Sequence, residues 1–89
     1  MTKDIFMAAF ERNDTVIKVV DIIAQKLDKD KELIVESATL ENLGADSLDL
    51  TEIIIELEDV FGIEIDDEKA ESLHNVKHVI DYVQELRTK

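Results

Sequence analysis

Cysteine and proline are absent from this chain of 89 residues, and glycine occurs only twice. Without cysteine the fold has neither disulfides nor thiolate metal ligands, which is compatible with a reducing cytosol. No apolar run approaches the roughly 20 residues that a membrane-spanning helix needs, and the N-terminus lacks the pattern of a secretory signal. We therefore expect a soluble, cytoplasmic protein that does not insert into a membrane.

Basic residues are also scarce: ten stand against 22 acidic residues, which gives a formal net charge of −12. Such a charge disfavours partners with a phosphate backbone, so we expect no nucleic-acid binding. The acids are concentrated, because residues 41–71 hold twelve of them and a single base, Lys69. This stretch indicates either a docking face for basic partner proteins or a solvated face that maintains solubility.

Helical periodicity dominates what the sequence does contain. Apolar residues recur at helical spacing in three stretches, and a chain of this length holds one small core. We expect a first helix from about 14 to 28, with Asn13 or Asp14 as its cap. A second should run from near Ser47 to the stop at Gly62, and a last one should follow the cap Asn75. The prediction is an all-α fold, a small antiparallel bundle of three main helices plus one short helix.

Three further segments complete this expectation. Asp66 is predicted to cap the short helix, which should end near Leu73. The long loop between the first two helices has no helical period and should be pinned to the core by its apolar residues: Leu33, Ile34, Leu40 and Leu43. Residues 1–13 form an N-terminal extension, helical or frayed, and residues 14–89 form the domain. The apolar residues 5, 6, 9 and 10 of the extension could pack onto the bundle or mediate self-association.

The stretch LGADSLDL, residues 43–50, places Ser47 where the second helix begins, between Asp46 and Asp49. As a hydrolase nucleophile, this serine lacks the glycines two residues away on either side, and the flanking carboxylates oppose formation of an alkoxide. As a helix cap, Ser47 or Asp46 fits well. As an attachment point for a phosphorylated group, Ser47 would lie beside free backbone N–H groups, and Gly44 would leave the approach open.

We expect no metal site. DKDKELIVESAT begins like a calcium loop, but Leu33 and Thr39 stand where an EF-hand needs glycine and glutamate. His74 and His78 have a spacing that could chelate zinc on a helix, yet no third ligand accompanies them. Surface histidines are the better interpretation of both.

The segment ENLGADSLDLTEIIIELEDVFGIEIDDEKAESLHNVKHVIDYV resembles the type II acyl carrier proteins of bacterial fatty acid synthesis. The resemblance covers roughly residues 15–86, and its centre is the motif GADSLD at residues 44–49. It implies that a phosphopantetheinyl transferase attaches 4'-phosphopantetheine from coenzyme A to Ser47, using magnesium. The thiol of this arm would carry growing acyl chains as thioesters and deliver them to the enzymes of fatty acid synthesis. The chain itself would be a non-catalytic carrier.

The resemblance also implies roles for individual side chains. The transferase and the acyl-transfer, condensing and reducing enzymes would present basic surfaces to a partner-binding face made of Asp46, Leu48, Asp49, Glu52, Ile55, Glu58 and Asp59. The acyl cargo would lie in a cavity or core lined by Ile53, Leu57, Phe61, Ile65, Leu73 and Val83. We expect a monomer.

Several positions depart from the family pattern, namely Asp66 where proline is frequent, Glu56 where a small residue is common, and Thr51 and Val60. With the N-terminal extension, these departures support an alternative: a specialised carrier for a dedicated lipid or secondary-metabolite pathway. A peptidyl carrier is disfavoured because the chain lacks a GGxS-type motif. The alternative from a different class is an unmodified acidic adaptor that binds a basic protein, in which Ser47 is never modified.

Overall fold

The computed structural model describes the backbone of residues 2–88 and the side chains of residues 12–88. Within that range it contains four α-helices: α1 (Thr2–Leu27), α2 (Ser47–Phe61), α3 (Asp67–Glu71) and α4 (Val76–Arg87). A 3-10 turn at Lys31–Leu33 lies between α1 and α2, and residues 2–88 include no β-strand. The predicted all-α fold is confirmed, with three main helices, one short helix and a long loop between the first two.

The first helix differs from the prediction, because α1 begins at Thr2 rather than near residue 14. Asn13 and Asp14 lie inside this helix, so neither caps it. The reason is that residues 2–13 contain no proline or glycine that would end a helix. The helix passes through residues 13 and 14 without a break, and the division into an extension (1–13) and a domain (14–89) stays a prediction. The apolar side chains predicted at residues 5, 6, 9 and 10 lie outside the described side chains.

The core is built from the helical faces that the periodicity predicts. Fully buried aliphatic side chains come from α1, α2 and α4: Val19, Ile23, Ile53, Leu57, Val76, Val79, Ile80 and Val83. Burying each side chain of this size contributes roughly 1.5–3 kcal/mol. α1 and α2 run antiparallel, since the Lys18 ammonium lies 6.0 Å from the ring centroid of Phe61 at the end of α2, while Lys26 pairs with the earlier Glu56 at 4.0 Å.

The long α1–α2 loop is held by three buried side chains and by backbone bonds to the start of α4. Ile34, Leu40 and Leu43 are buried as predicted, but Leu33 is 54% exposed, which corrects its predicted role as an anchor. Leu33 ends the tight 3-10 turn, and Ile34 next to it takes the inward position. Backbone hydrogen bonds join Leu40 N–H to the carbonyl of residue 74 (2.9 Å) and residue 76 N–H to the carbonyl of residue 38 (3.0 Å). The loop therefore has a fixed path to α2.

Polar contacts join the N-terminal half of α1 to α4. Arg87 donates to the Asp14 carboxylate (3.1 Å) and to the buried Thr15 hydroxyl (2.8 Å), which itself donates to Gln84 (2.7 Å). Burial of the Asp14 carboxylate opposes its ionisation, but hydrogen bonds and charge from Lys18 and Arg87 outweigh burial and lower the pKa of Asp14. These contacts fix α4 against α1 on the side away from Ser47.

Candidate functional site

The start of α2 is capped by Asp46 and not by Ser47. The Asp46 Oδ1 accepts the Asp49 N–H at 2.8 Å, and the Asp49 Oδ2 accepts the Asp46 N–H at 3.1 Å, which is a reciprocal capping box. Ser47 is the first residue of the helix, and its side chain is exposed. Among the described residues, no hydrogen bond involves the Ser47 hydroxyl. Of the two cap candidates in the sequence, Asp46 is therefore the cap, and the Ser47 hydroxyl has no hydrogen-bond partner among the described residues.

The loop before Ser47 is a tight turn anchored in the core. Gly44 N–H donates to the carbonyl of Glu41 (2.9 Å), and Ala45 N–H donates to that of the buried Leu40 (3.0 Å). Gly44 has φ of +91°, a left-handed conformation that favours glycine. A Cβ added there would meet no atom within 4 Å, so the space beside the turn is open. The turn holds Ser47 in place while leaving its surroundings accessible.

Ser47 lies at the edge of a cleft of ≈ 620 Å³ between α2 and α3. That volume is within the usual range of small-molecule sites, about 300–1,000 Å³. The cleft wall is mainly aliphatic and includes Leu50, Ile53 and Ile54 from α2, and Ile65, Ala70 and Leu73 from α3 and its flanks. A chain attached to Ser47 would therefore have an apolar surface directly beside it.

The predicted cavity or core residues divide into two groups. Ile53, Ile65 and Leu73 line the cleft, whereas Leu57 and Val83 are fully buried in the core outside the lining. Phe61 is different, because its half-buried ring packs at the edge of the core with the Arg87 guanidinium 4.9 Å from its centroid. Sequence reasoning missed several lining residues: Leu40, Leu50, Ile54, Ala70 and Val79. Leu50 and Ile54 are four apart on α2, which is the signal that could have placed them on one face.

The predicted partner-binding face lies mostly in solvent. Its acids at positions 46, 52 and 59 are exposed, and its two apolar members, Leu48 and Ile55, are 65% and 57% exposed. Of the twelve acids in residues 41–71, only Glu56 lies within 4.0 Å of a described cationic group, that of Lys26. Five of the described bases instead pair with acids of α1 and α4 and with Glu36, namely Arg12, Lys18, Lys31, Lys77 and Arg87. The face therefore presents a set of carboxylates whose charge is not neutralised by the described part of the chain.

Three members of this face also have bonds within the fold. Asp46 and Asp49 form the capping box, in which Asp49 is half-buried. Glu58 is half-buried too, and its Oε2 accepts the backbone N–H of Ile65 at 2.8 Å. Nothing in the sequence pattern signalled this second bond, because Ile65 lies in the irregular connection between α2 and α3. These three carboxylates have a structural use that Glu52 and Asp59 lack.

Comparison with known proteins identifies the family. Over residues 18–83, the chain matches the family model described as a phosphopantetheine attachment site. It is 50% identical over 68 residues to an acyl carrier protein of Syntrophobacter fumaroxidans (strain DSM 10017 / MPOB), which covers 75% of this chain and 84% of that protein. The chain belongs to the acyl carrier protein family.

Two further relatives agree with this assignment. An acyl carrier protein of Rubrobacter xylanophilus (strain DSM 9941 / JCM 11954 / NBRC 16129 / PRD-1) is 44% identical over 79 residues, 88% of this chain and 98% of that protein. The crystal structure of an acyl carrier protein from Thermotoga maritima superposes with a TM-score of 0.73 at 36% identity, covering 85% of this chain and 89% of that chain. The fold that the resemblance implied is thus confirmed, because the chain has the same fold as the Thermotoga maritima acyl carrier protein.

The cofactor of an acyl carrier protein is 4'-phosphopantetheine, and the start of α2 fits such a group. A phosphodiester on Ser47 would lie at a helix N-terminus, where the first N–H groups have no intrahelical partner and the helix dipole favours an anion. The capping box uses the N–H of Asp49 and leaves those of Ser47 and Leu48 available. The cleft beside Ser47 would offer an apolar surface to an apolar group carried on such an arm.

The remaining candidates are a metal site and a membrane-spanning helix. Within the described residues, no group of three or more His, Cys, Asp or Glu side chains is arranged to hold a metal ion. His74 and His78 are exposed, and the His78 backbone N–H donates to Asn75, the α4 cap, at 2.8 Å. None of the helices in the described part of the chain is long and apolar enough to cross a membrane.

Proposed function

We propose that Ser47 carries 4'-phosphopantetheine and that this acyl carrier protein delivers growing acyl chains, held as thioesters, to cytoplasmic enzymes of fatty acid synthesis. One observation carries the proposal: the Ser47 hydroxyl is exposed, has no hydrogen bond within the described chain, and lies at the edge of an apolar cleft. A serine needed as a helix cap would instead be bonded to the backbone. When bound, the cofactor supplies the thiol that this cysteine-free chain lacks.

The carrier is proposed to catalyse no reaction itself. A nucleophilic serine needs a base within hydrogen-bond reach, and none bonds to Ser47 in the described structure. The neighbouring Asp46 carboxylate accepts an N–H of the helix, so it is occupied as a cap. Ser47 is then a substrate of a phosphopantetheinyl transferase, which takes the arm from coenzyme A.

The partner-binding face supports docking of enzymes with basic surfaces. Exposed carboxylates without internal partners attract lysine and arginine at long range and speed the encounter. Each exposed ion pair is worth only about 0–1 kcal/mol, so the docked complexes should be short-lived, which suits a carrier that visits several enzymes. Exposed Leu48 and Ile55 give the same face two apolar contacts. The proposed face comprises Asp46, Leu48, Asp49, Glu52, Ile55, Glu58 and Asp59.

The mass of the intact protein tests the attachment point. The protein is measured before and after incubation with coenzyme A, magnesium and a broad-specificity phosphopantetheinyl transferase. We expect the wild type to gain one phosphopantetheine and Ser47→Ala to gain none. Ser37→Ala is the matched control, because Ser37 is also exposed but lies in the α1–α2 loop, and it should be modified like the wild type. A folded, initially unmodified wild type that gains nothing would favour the acidic adaptor instead.

A further inference from the structure

Glu58 is the residue through which the connection between α2 and α3 is held. Its backbone carbonyl accepts the N–H of Gly62, the left-handed C-cap of α2, and that of Ile63 at 3.2 Å. Its side-chain Oε2 accepts the N–H of Ile65 at 2.8 Å. One residue of α2 thus accepts three of the N–H groups between residues 62 and 65. The side-chain bond is the only one of the three that a substitution of Glu58 itself removes.

The α3 wall of the cleft has few other attachments. α3 has five residues, none of them buried, and helices this short are not stable by themselves. Asp66 occupies the N-cap position, but its side chain makes no capping hydrogen bond, contrary to the prediction from the sequence. α3 is held mainly by the burial of Ile65 before it and Leu73 after it. From within α3, Ala70 packs against the core and the Lys69 ammonium lies 5.1 Å from the ring centroid of Tyr82. Glu58 bonds directly to Ile65, the first of the two buried anchors.

Glu58 and Ile65 also line the cleft. We propose that Glu58 is a positioning residue, whose bond to the Ile65 N–H holds the α3 wall and thereby sets how long an acyl chain the cleft shelters. The inference rests on the proposed function, because it concerns the acyl cargo. It differs from the docking role implied by the family resemblance, in which only the negative charge of Glu58 would matter.

Two substitutions separate positioning from charge. Glu58→Asp keeps the charge, but its side chain is one methylene shorter and cannot reach the Ile65 N–H in the same geometry. Glu58→Gln removes the charge, but its amide oxygen can accept the same hydrogen bond. Asp59→Asn is the matched control, because Asp59 is the adjacent, exposed acid of α2 and has no bond to the connection. All three changes are conservative enough to leave the buried core untouched.

The first readout is hydrogen exchange of the Ile65 amide in the unmodified protein. Bonds to charged groups are strong enough that losing this one should speed exchange by about tenfold or more. The second readout is the melting temperature of the protein loaded with acyl groups of increasing length, which reports how much of each chain is sheltered. In Glu58→Asp we expect faster exchange of Ile65 and a smaller gain in melting temperature from the longer chains. Asp59→Asn should resemble the wild type in both. Glu58→Gln keeps the bond with a neutral and therefore weaker acceptor, so its exchange should lie between those of the wild type and Glu58→Asp, and its gain in melting temperature should stay closer to that of the wild type.

The possible failures are distinguishable. A loaded Glu58→Asp that matches the wild type in both readouts would overturn the positioning role alone. Defects in Glu58→Gln with normal behaviour of Glu58→Asp would also overturn it, in favour of a role for the charge. A wild type that cannot be loaded at Ser47 would overturn the proposed function, and this inference with it.

Discussion

Asp46 caps the start of α2 whereas Ser47 does not, and this difference gives a quantitative prediction. Asp46→Ala removes the side-chain acceptor of the capping box, and the Asp49 N–H then has no partner at the start of α2. Losing such a cap costs about 1 kcal/mol. For a domain of this size, a loss of 1 kcal/mol lowers the melting temperature by about 4–8 °C. Ser47→Ala removes a hydroxyl without a bonded partner in the described chain, so its stability should stay within about 0.5 kcal/mol of the wild type.

Urea unfolding followed by far-UV circular dichroism measures both effects on the unmodified protein. The denaturation midpoint should fall in Asp46→Ala, with an unchanged slope, because the surface exposed on unfolding is the same. Mass measurement after treatment with the transferase then reports modification. Ser47→Ala should combine wild-type stability with a complete loss of modification, and Asp46→Ala should combine reduced stability with a serine that can still be modified.

The reverse pattern would refute the assignment of the cap. If Ser47→Ala lost about as much stability as Asp46→Ala, the serine would contribute to the helix start and its hydroxyl would not be free. If neither variant lost stability, the capping box would not contribute to the fold. The first result would remove the observation on which the choice of Ser47 as attachment point depends, and the second would refute the capping role of Asp46 alone.

Other predictions follow from the charged groups. The hydrogen bond from Lys77, together with that from Arg12, lowers the pKa of Asp81 despite partial burial, and ion pairs likewise lower that of Asp14. Because both carboxyls have lower pKa values in the folded than in the unfolded protein, their ionised forms stabilise the fold above pH 3.8, and this stabilisation is lost as the pH falls through the folded-state values. Urea unfolding at decreasing pH should therefore show a smaller loss of unfolding free energy for Asp81→Asn than for the wild type. Glu52→Lys should slow modification by the transferase at low salt while helix content stays constant, and unchanged kinetics would argue against the docking face. Added salt should raise the melting temperature, because it screens repulsion among the carboxylates of residues 41–71; a flat response would show that this repulsion is insignificant.

Local signals in the sequence were enough to place most helix ends after residue 40. Asp46 and Asn75 have side chains that bond a backbone N–H three residues ahead, and Gly62 adopts the left-handed conformation. Each of these ends depends on residues adjacent in the sequence, so a single sequence contains the information. The apolar faces of α1, α2 and α4 were predictable for the same reason, because helical spacing determines which residues share a face.

What the sequence could not supply depends on contacts between distant segments. The bond from Glu58 to Ile65 requires the path of an irregular connection, which periodicity does not describe. Phe61 continues the apolar stripe of α2, yet its ring lies at the edge of the core beneath Arg87, a residue from the end of the chain. The start of α1 was predicted wrongly for a different reason: Asn13 looks like a cap, but no helix-breaking residue precedes it.

The basic and the acidic side chains of this acyl carrier protein differ in how far the fold uses them in ion pairs. Arg12, Lys18, Lys77 and Arg87 bond to carboxylates that join α1 to α4, so these two helices use the bases internally. The acids of α2 and α3 have no comparable set of ion pairs. Repulsion among so many carboxylates on two helices raises the free energy of the folded state. Capping explains two of them, and the Ile65 bond explains Glu58, but Glu52 and Asp59 have no bond in the described structure that offsets the repulsion. The position of Glu52 and Asp59 on the helix that begins with Ser47 is explained if basic groups of the proposed partner enzymes neutralise these two carboxylates during docking.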